Sequence, residues 1–383
     1  MNLNLTHREQ DVVRTAATFT RDMVVPYAAS WEQEKKMPVD TLRAAGREGL
    51  LGLLVSEKYG GQGISYTAVA RVMEEFASGC MFFAFSAVVH NNQGNSLSTY
   101  GSQEQVERFI PGLISGERIG AFCLTEPDAG SDAAAISTRA EPVERGWLVN
   151  GEKAWVTNGA AANMFSVYAQ TDPAAGWRGL VCILVEDTSP GLERGEVYQM
   201  MGGHAMGTAM LKLTDCLLPA ENLLIGKGEA FKAAMKGIDL ARTLVGAMCC
   251  GMVRSSLKCA LKYASKRTVF GRAVTDFQGN QWQLADVATN LEASRLLTYD
   301  AARALDAGEN ATVKSAHAKK FSTRTALTDI STCMQVMGAE GYRDEHPLGR
   351  HLAGAKMAQY LDGTTEIQNV VISRAMIQPR FLG

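Results

Sequence analysis

Apolar residues recur at helical spacing from the N-terminus to about residue 117. They then fall into short β-branched or alternating runs, and return to helical spacing from about residue 228. Thr6-x-x-Glu9 is a capping box that opens the first amphipathic stretch. Residues 42–54 predict a second helix, stopped by the turn Tyr59-Gly60-Gly61-Gln62-Gly63. Residues 66–89, rich in Ala, Val, Met and Phe, predict a third, buried helix. Residues 103–114 predict a fourth, whose last part Pro111 starts or kinks.

Trp147-Leu148-Val149 and Ala154-Trp155-Val156 flank Asn150-Gly151, the pattern of a type I′ hairpin. Residues 164–170, 180–186 and 209–213 are further strand candidates, and short strands at this spacing predict a compact barrel or sandwich. Segments 231–266, 280–306, 310–337 and 351–360 follow at helical period, with a short helix after Thr364. Their short connections predict an antiparallel four-helix bundle. The expected order is a helical domain (1–117), a β domain (118–227) and a helical bundle (228–383), an α+β multidomain fold.

Composition narrows the function. The formal net charge of −2 points to neither nucleic acid nor an anionic membrane surface. No apolar run approaches the length of a membrane-spanning helix, and the N-terminus lacks the basic-then-apolar pattern of a signal peptide. The eight cysteines form no C-x-x-C pair and read as reduced cytoplasmic thiols. The six histidines are scattered, so no metal site is expected.

Six segments can carry chemistry, and each also has a plain structural account. Leu124 to Asp132, after Ala121-Phe122-Cys123, is a polar turn, or a loop whose amides and hydroxyls meet the edge of a flat heteroaromatic ring. Trp155-Val156-Thr157 is a cross-strand aromatic, or a stacking surface for such a ring. Asp239 and Arg242, at i and i+3 of a helix, can simply pair, although burying that pair is costly. Arg267 to Gly271, followed by Asp276-Phe277-Gln278, reads as a basic helix terminus. Gln335 to Tyr342 reads as a glycine C-cap or a ligand contact. Asp362, before a Gly-Thr break, either caps the last helix or points into a cavity.

Taken together, in this order and on this helical–β–helical chain, these segments resemble the acyl-CoA dehydrogenase family over essentially the whole length. The resemblance implies a middle β-barrel and FAD held between barrel and bundle. It also implies a homotetramer, an acyl-CoA substrate and an electron-transfer flavoprotein as acceptor. It assigns Phe122, Leu124, Thr125, Ser131, Trp155, Thr157, Arg267, Phe270, Gln278, Gln335, Gly338, Thr364 and Glu366 to FAD. It assigns Ser131, Asp239, Arg242, Gly363 and Arg374 to the substrate side.

By the same resemblance the base is Asp362, where the family usually carries Glu. The alternative family position for a base is Ala241 here, which leaves Asp362 alone. Ala339 replaces a usual Gly, and Ala353-Gly354 stands where relatives often carry Arg-Asp. The implied reaction removes the α-proton to Asp362 and passes a hydride from Cβ to the flavin. Because Asp is the shorter acid, a branched or alicyclic acyl group of cyclohexane-carboxyl type is expected. His90-Asn91-Asn92 either lines the acyl pocket or caps a helix end. Rival readings are a dehydrogenase of carrier-protein-tethered acyl groups, an Asp-based nitroalkane-type oxidase, a reductase, and a catalytically dead FAD-binding scaffold.

Overall fold

The computed structural model describes residues 3–377. In chain order its α-helices are α1 (His7–Phe19), α2 (Ala28–Gln33), α3 (Val39–Arg47), α4 (Tyr66–Gly79), α5 (Met81–Tyr100), α6 (Gln103–Ser115), α7 (Ala230–Ala264), α8 (Gln278–Asp306), α9 (Thr312–Met337), α10 (Leu348–Ala358) and α11 (Thr365–Ile377). Between α6 and α7 lie β1 (Gly120–Cys123), β2 (Arg139–Val143), β3 (Gly146–Val156), β4 (Met164–Gln170), β5 (Leu180–Glu186), β6 (Leu192–Val197), β7 (Ala209–Leu218) and β8 (Leu223–Ile225). A short hairpin, β9 (Thr268–Val269) and β10 (Arg272–Ala273), joins α7 to α8. The chain packs as two compact units.

The first unit takes the N-terminal segment through Glu34, Ser65–Ala84 and the chain from Asp239 onward. Its first helix starts as the sequence predicts. The Thr6 hydroxyl accepts from the Glu9 N–H, and the Glu9 carboxylate accepts from the Thr6 N–H at 2.9 Å. Within the unit, α9 packs on α8, α10 and α11, and α4 on α1 and α8. Two buried carboxylates tie α4 to the later helices. Glu74 takes Arg295 Nη2 and the Tyr299 hydroxyl, each at 2.7 Å, and Glu75 takes both terminal nitrogens of Arg254. The predicted helix over 66–89 is in fact two helices. Cys80, at φ −156° and ψ 112°, breaks it, and the chain there runs close against Thr20 and Val24, so that a Cβ on Gly79 would meet Thr20 Cγ2 at 2.8 Å.

The second unit takes Lys35–Ile64 and Phe85–Ile238. The predicted helix over 42–54 is shorter than expected. It ends at Arg47, because Gly49 turns left-handed at φ 72°. The strands form one sheet in the order β6-β7-β3-β2-β4-β5-β8, with β1 added in parallel to β4. The expected barrel is not observed, since the terminal strands β6 and β8 do not pair and the sheet is open. β2 pairs with β3 along its length and reaches β4 only through Arg139 and Gln170, so a single residue pair joins the two halves of the sheet. The β6 edge is mostly exposed and carries Glu193, Arg194 and Glu196, charges that discourage further pairing.

The expected hairpin at Asn150-Gly151 is likewise absent. β3 runs straight through it, and the turn lies instead between β2 and β3, before Gly146. Gly151 marks an irregularity in the register with β7. It sits at φ 151°, where a Cβ would lie 2.7 Å from Thr138 Cα, so glycine is required by a close approach of backbone. Among the described residues one helix, α7, is long and apolar enough to cross a bilayer. Because 67% of its most apolar window is buried inside the fold, α7 reads as a core helix.

Candidate active site

The helical unit brings four of the expected substrate-side and base residues together. α11 starts at Thr365, so Thr364 rather than Asp362 immediately precedes it, and the capping account of Asp362 falls away. Asp362 and Gly363 instead form a left-handed pair at φ 51° and 89°. Such a conformation is costly for aspartate and persists only where its surroundings hold it. The Arg242 Nε donates to the Asp362 carbonyl at 3.0 Å. Lys319 Nζ, at 2.8 Å, and Gln368 Nε2, at 2.9 Å, both donate to the Gly363 carbonyl. A Cβ on Gly363 would meet Arg242 Nη2, Gln368 Nε2 and Ile367 Cγ2 at 3.2 Å each, so these same groups select glycine.

The carboxyl group itself is left unpaired. The residue as a whole is half-buried, but Oδ2 is sealed from solvent and has no hydrogen-bond partner. Burial pushes the Asp362 carboxyl up to about 6, against the opposing pull of Lys319 and Arg242. Arg242 is occupied on its other side by Asp239, whose Oδ1 lies 3.0 Å from Nη1. Asp239 also accepts from Thr312 Oγ1 at 2.6 Å and Ser315 Oγ at 3.5 Å, and burial still raises its pKa above the ordinary range. A chain of contacts thus runs from α9 through Asp239 and Arg242 to the backbone of Asp362.

The sheet unit assembles a second group. The Thr125 carbonyl accepts from the Ala154 N–H at 2.9 Å, which joins the loop after β1 to β3. Glu126 anchors that loop. Its carboxylate accepts from the Ser137 and Thr138 N–H groups at 2.6 and 2.9 Å, from both their hydroxyls, and from Lys153 Nζ at 2.7 Å. Burial alone would raise Glu126, but the Lys153 charge and these hydrogen bonds hold it at about 2. Phe122 and Leu124 point inward, Phe122 against Tyr168 with ring centres 5.0 Å apart. Ser131 is exposed.

Next in the chain, Trp155 stands left-handed at φ 56° and is 58% exposed, its ring stacked on Tyr198 at 4.2 Å. Thr157 is buried beside it in sequence. Asn158, also left-handed, is locked by the Ser86 side chain and by donating to the Ser86 and Gly120 carbonyls. A strained, exposed indole carried on so rigid a support suits a flat ring ligand.

Phe270 and Gly271 form the left-handed tip of the β9–β10 hairpin, and Phe270 is 96% exposed. Arg267 and Gln278 are exposed on either side of it. Gln335 and Gly338 end α9, where Gly338 turns at φ 61° and its N–H returns to the Gln335 carbonyl. Glu366 and Arg374 are exposed on α11. His90 and Asn91 are committed to structure. His90 Nε2 meets the Leu113 carbonyl and its Nδ1 accepts from Gly120, while Asn91 ties Leu53, Leu50 and Ala87. Neither is available to an acyl group.

Family models describing the N-terminal, middle and C-terminal domains of acyl-CoA dehydrogenases match residues 6–117, 121–216 and 228–377. The chain is 34% identical over 380 residues to an acryloyl-CoA reductase (NADH) of Anaerotignum propionicum, covering 99% of this chain and 96% of that protein. This chain belongs to the acyl-CoA dehydrogenase family. Among solved structures, it matches butyryl-CoA dehydrogenase from Megasphaera elsdenii with TM-score 0.95 and 32% identity, over 99% of this chain and 100% of the other. PigA, solved with FAD and proline, matches with TM-score 0.93 and 27% identity over the full length of both chains. This acyl-CoA dehydrogenase family member is an FAD-dependent oxidoreductase acting on acyl-CoA.

Two buried lysines, one in each unit, escape a reading of the sequence. Lys319 falls on the buried face of α9, in phase with Ser315, Ala316, Ser322, Thr323 and Ala326. A lysine in that phase is itself the signal, since buried lysines are rare unless employed. Lys153 is the other, buried in the middle of β3.

Proposed function

We propose that this enzyme dehydrogenates the Cα–Cβ bond of an acyl-CoA with Asp362 as the base, and that its acyl group is α-branched or alicyclic, of cyclohexane-carboxyl type. The observation that carries the reading is the Asp362 Oδ2, sealed from solvent and without a partner. A carboxylate stripped of hydrogen bonds is a stronger base than one in water, and burial keeps its pKa within reach of a weak carbon acid. Asp362 takes the α-proton on this oxygen. FAD, held by the cofactor residues assigned below, would supply the acceptor for the hydride leaving Cβ, so that the Cα–H and Cβ–H bonds give way to one new π bond between the two carbons. The Arg242 and Lys319 contacts fix where the base stands, and such positioning is worth large factors in rate.

The substrate class follows from reach. Asp is shorter than Glu by one methylene, about 1.5 Å. A displacement on that scale costs on the order of a hundredfold in rate unless the α-carbon comes closer. A ring or branch at the α-carbon brings it closer by filling the space around the thioester. For the cofactor we assign Phe122, Leu124, Thr125, Ser131, Trp155 and Thr157 from the sheet unit, with Arg267, Phe270, Gln278, Gln335, Gly338, Thr364 and Glu366. For the thioester arm we assign Ser131, Asp239, Arg242, Gly363 and Arg374. A homotetramer in the cytoplasm, handing electrons to an electron-transfer flavoprotein, completes the proposal. The exposed Phe270 suits burial against another copy.

Anaerobic bleaching of the flavin near 450 nm by a panel of linear, branched and alicyclic acyl-CoAs tests this reading. Fastest bleaching by the alicyclic or α-branched members supports it. Bleaching by linear members alone removes the substrate assignment.

A further inference from the structure

The left-handed turn at Asp362–Gly363 is held by a lysine that has no carboxylate of its own. Lys319 is fully buried on α9, and among the described residues its ammonium makes no ion pair. It spends a hydrogen bond on a neutral carbonyl, that of Gly363, which Gln368 already serves. A buried ammonium costs several kcal/mol unless an opposite charge offsets it. The charge that most favours its protonation is that of Asp362.

We propose that Lys319 is the positioning residue of the base: through the Gly363 carbonyl it locks the left-handed turn, and its charge keeps the Asp362 carboxylate ionised without touching it. A direct ion pair would neutralise the base, whereas a charge one peptide away stabilises the anion and leaves its oxygen bare. The inference rests on the reading of Asp362 as base.

The surrounding charges fit this role. Asp362 is faced by Lys319 from α9 and Arg242 from α7. Lys319 is faced by Asp362, by Cys249 and Arg242 from α7, and by Glu366 from α11, and Arg242 is already paired with Asp239. Burial lowers the Lys319 ammonium to about 8, with Asp362 opposing the fall. Burial raises Asp362 to about 6, with Lys319 the larger opposing influence. Removing the lysine charge therefore drives the carboxyl higher still.

The test uses the full-length, FAD-loaded enzyme and the acyl-CoA that bleaches it fastest. In Lys319→Met, the acid limb of kcat/KM moves up by about one pH unit, and kcat above the limb falls about tenfold with KM little changed. Gln368→Leu removes the other donor but no charge, so it lowers kcat and leaves the limb in place. A second readout needs no lysine variant. In 15N-lysine NMR, the Lys319 resonance titrates at lower pH in Asp362→Asn than in the parent, because the two charges stabilise one another. An unmoved limb in a folded Lys319→Met enzyme overturns the proposal. So does an unchanged Lys319 titration in Asp362→Asn, which decides the matter if the methionine variant does not fold. Turnover surviving in Asp362→Asn removes the base reading instead. Loss of turnover there, with the limb unmoved in Lys319→Met, removes only the role of Lys319.

Discussion

Arg242 donates to the backbone carbonyl of Asp362, at 3.0 Å, while its other end pairs with Asp239 at 3.0 Å. The arginine therefore holds the base by its peptide and leaves the carboxyl free. Replacing Arg242 with Met strips that support and leaves Asp239 charged and unpaired in a buried place. Breaking such a pair costs about 3–5 kcal/mol. Thermal unfolding of the variant is expected well below that of the parent, with kcat reduced more than KM. Asp239→Asn, which keeps the hydrogen-bonding shape, is expected to lose less.

Glu126 and Lys153 form a nearly dry ion pair beneath the loop that carries Thr125. The pair shapes the loop, since Lys153 also donates to the Leu124 carbonyl. Glu126→Gln leaves a buried ammonium without its counter-charge, a change of about 3–5 kcal/mol. Denaturant unfolding is expected to shift to lower concentration, and flavin to be lost on dilution more readily than from the parent. A variant as stable as the parent contradicts this account of the loop.

Much of this architecture is legible in the residue pattern, and the failures share a cause. The capping box at Thr6 and Glu9 and the helices from 231 onward are local features, written in neighbouring residues. Asn150-Gly151 also looks local, as a turn signal, but Gly151 is there because Thr138 crosses close to it. The closed barrel fails because closure depends on β6 meeting β8, which no single segment encodes. At the active site, Asp239 and Arg242 stand out as a pair on one helix face. Lys319 does not, because its partner is a backbone carbonyl 44 positions away. The motif around His90 misleads in the opposite way. His90 and Asn91 look free in sequence and are committed to carbonyls and amides in the fold.

Asp329 offers a pH test of burial away from the reaction. It accepts from Asn290 Nδ2 at 2.9 Å, its Oδ2 has no partner, and burial pushes its carboxyl up to about 6. A carboxyl raised in the folded state contributes stability below its ordinary pKa near 4 and loses it as pH rises through about 6. At pH 8 the parent therefore carries a poorly solvated carboxylate. Asp329→Asn is expected to be more stable than the parent at pH 8 by about 1–3 kcal/mol. The gain is expected to shrink as pH falls below 6. Equal or lower stability at pH 8, measured by thermal unfolding, contradicts the assignment.

A single turnover decides whether Asp362 is the base. Asp362→Asn, purified with its flavin, is mixed without oxygen with the acyl-CoA that bleaches the parent fastest, and absorbance near 450 nm is followed. Asparagine keeps the size of the side chain and removes the proton acceptor. The flavin is expected to stay bound and oxidised, with bleaching slowed at least about a thousandfold, the scale of losing a positioned general base. Bleaching within a few fold of the parent rate would place the base elsewhere.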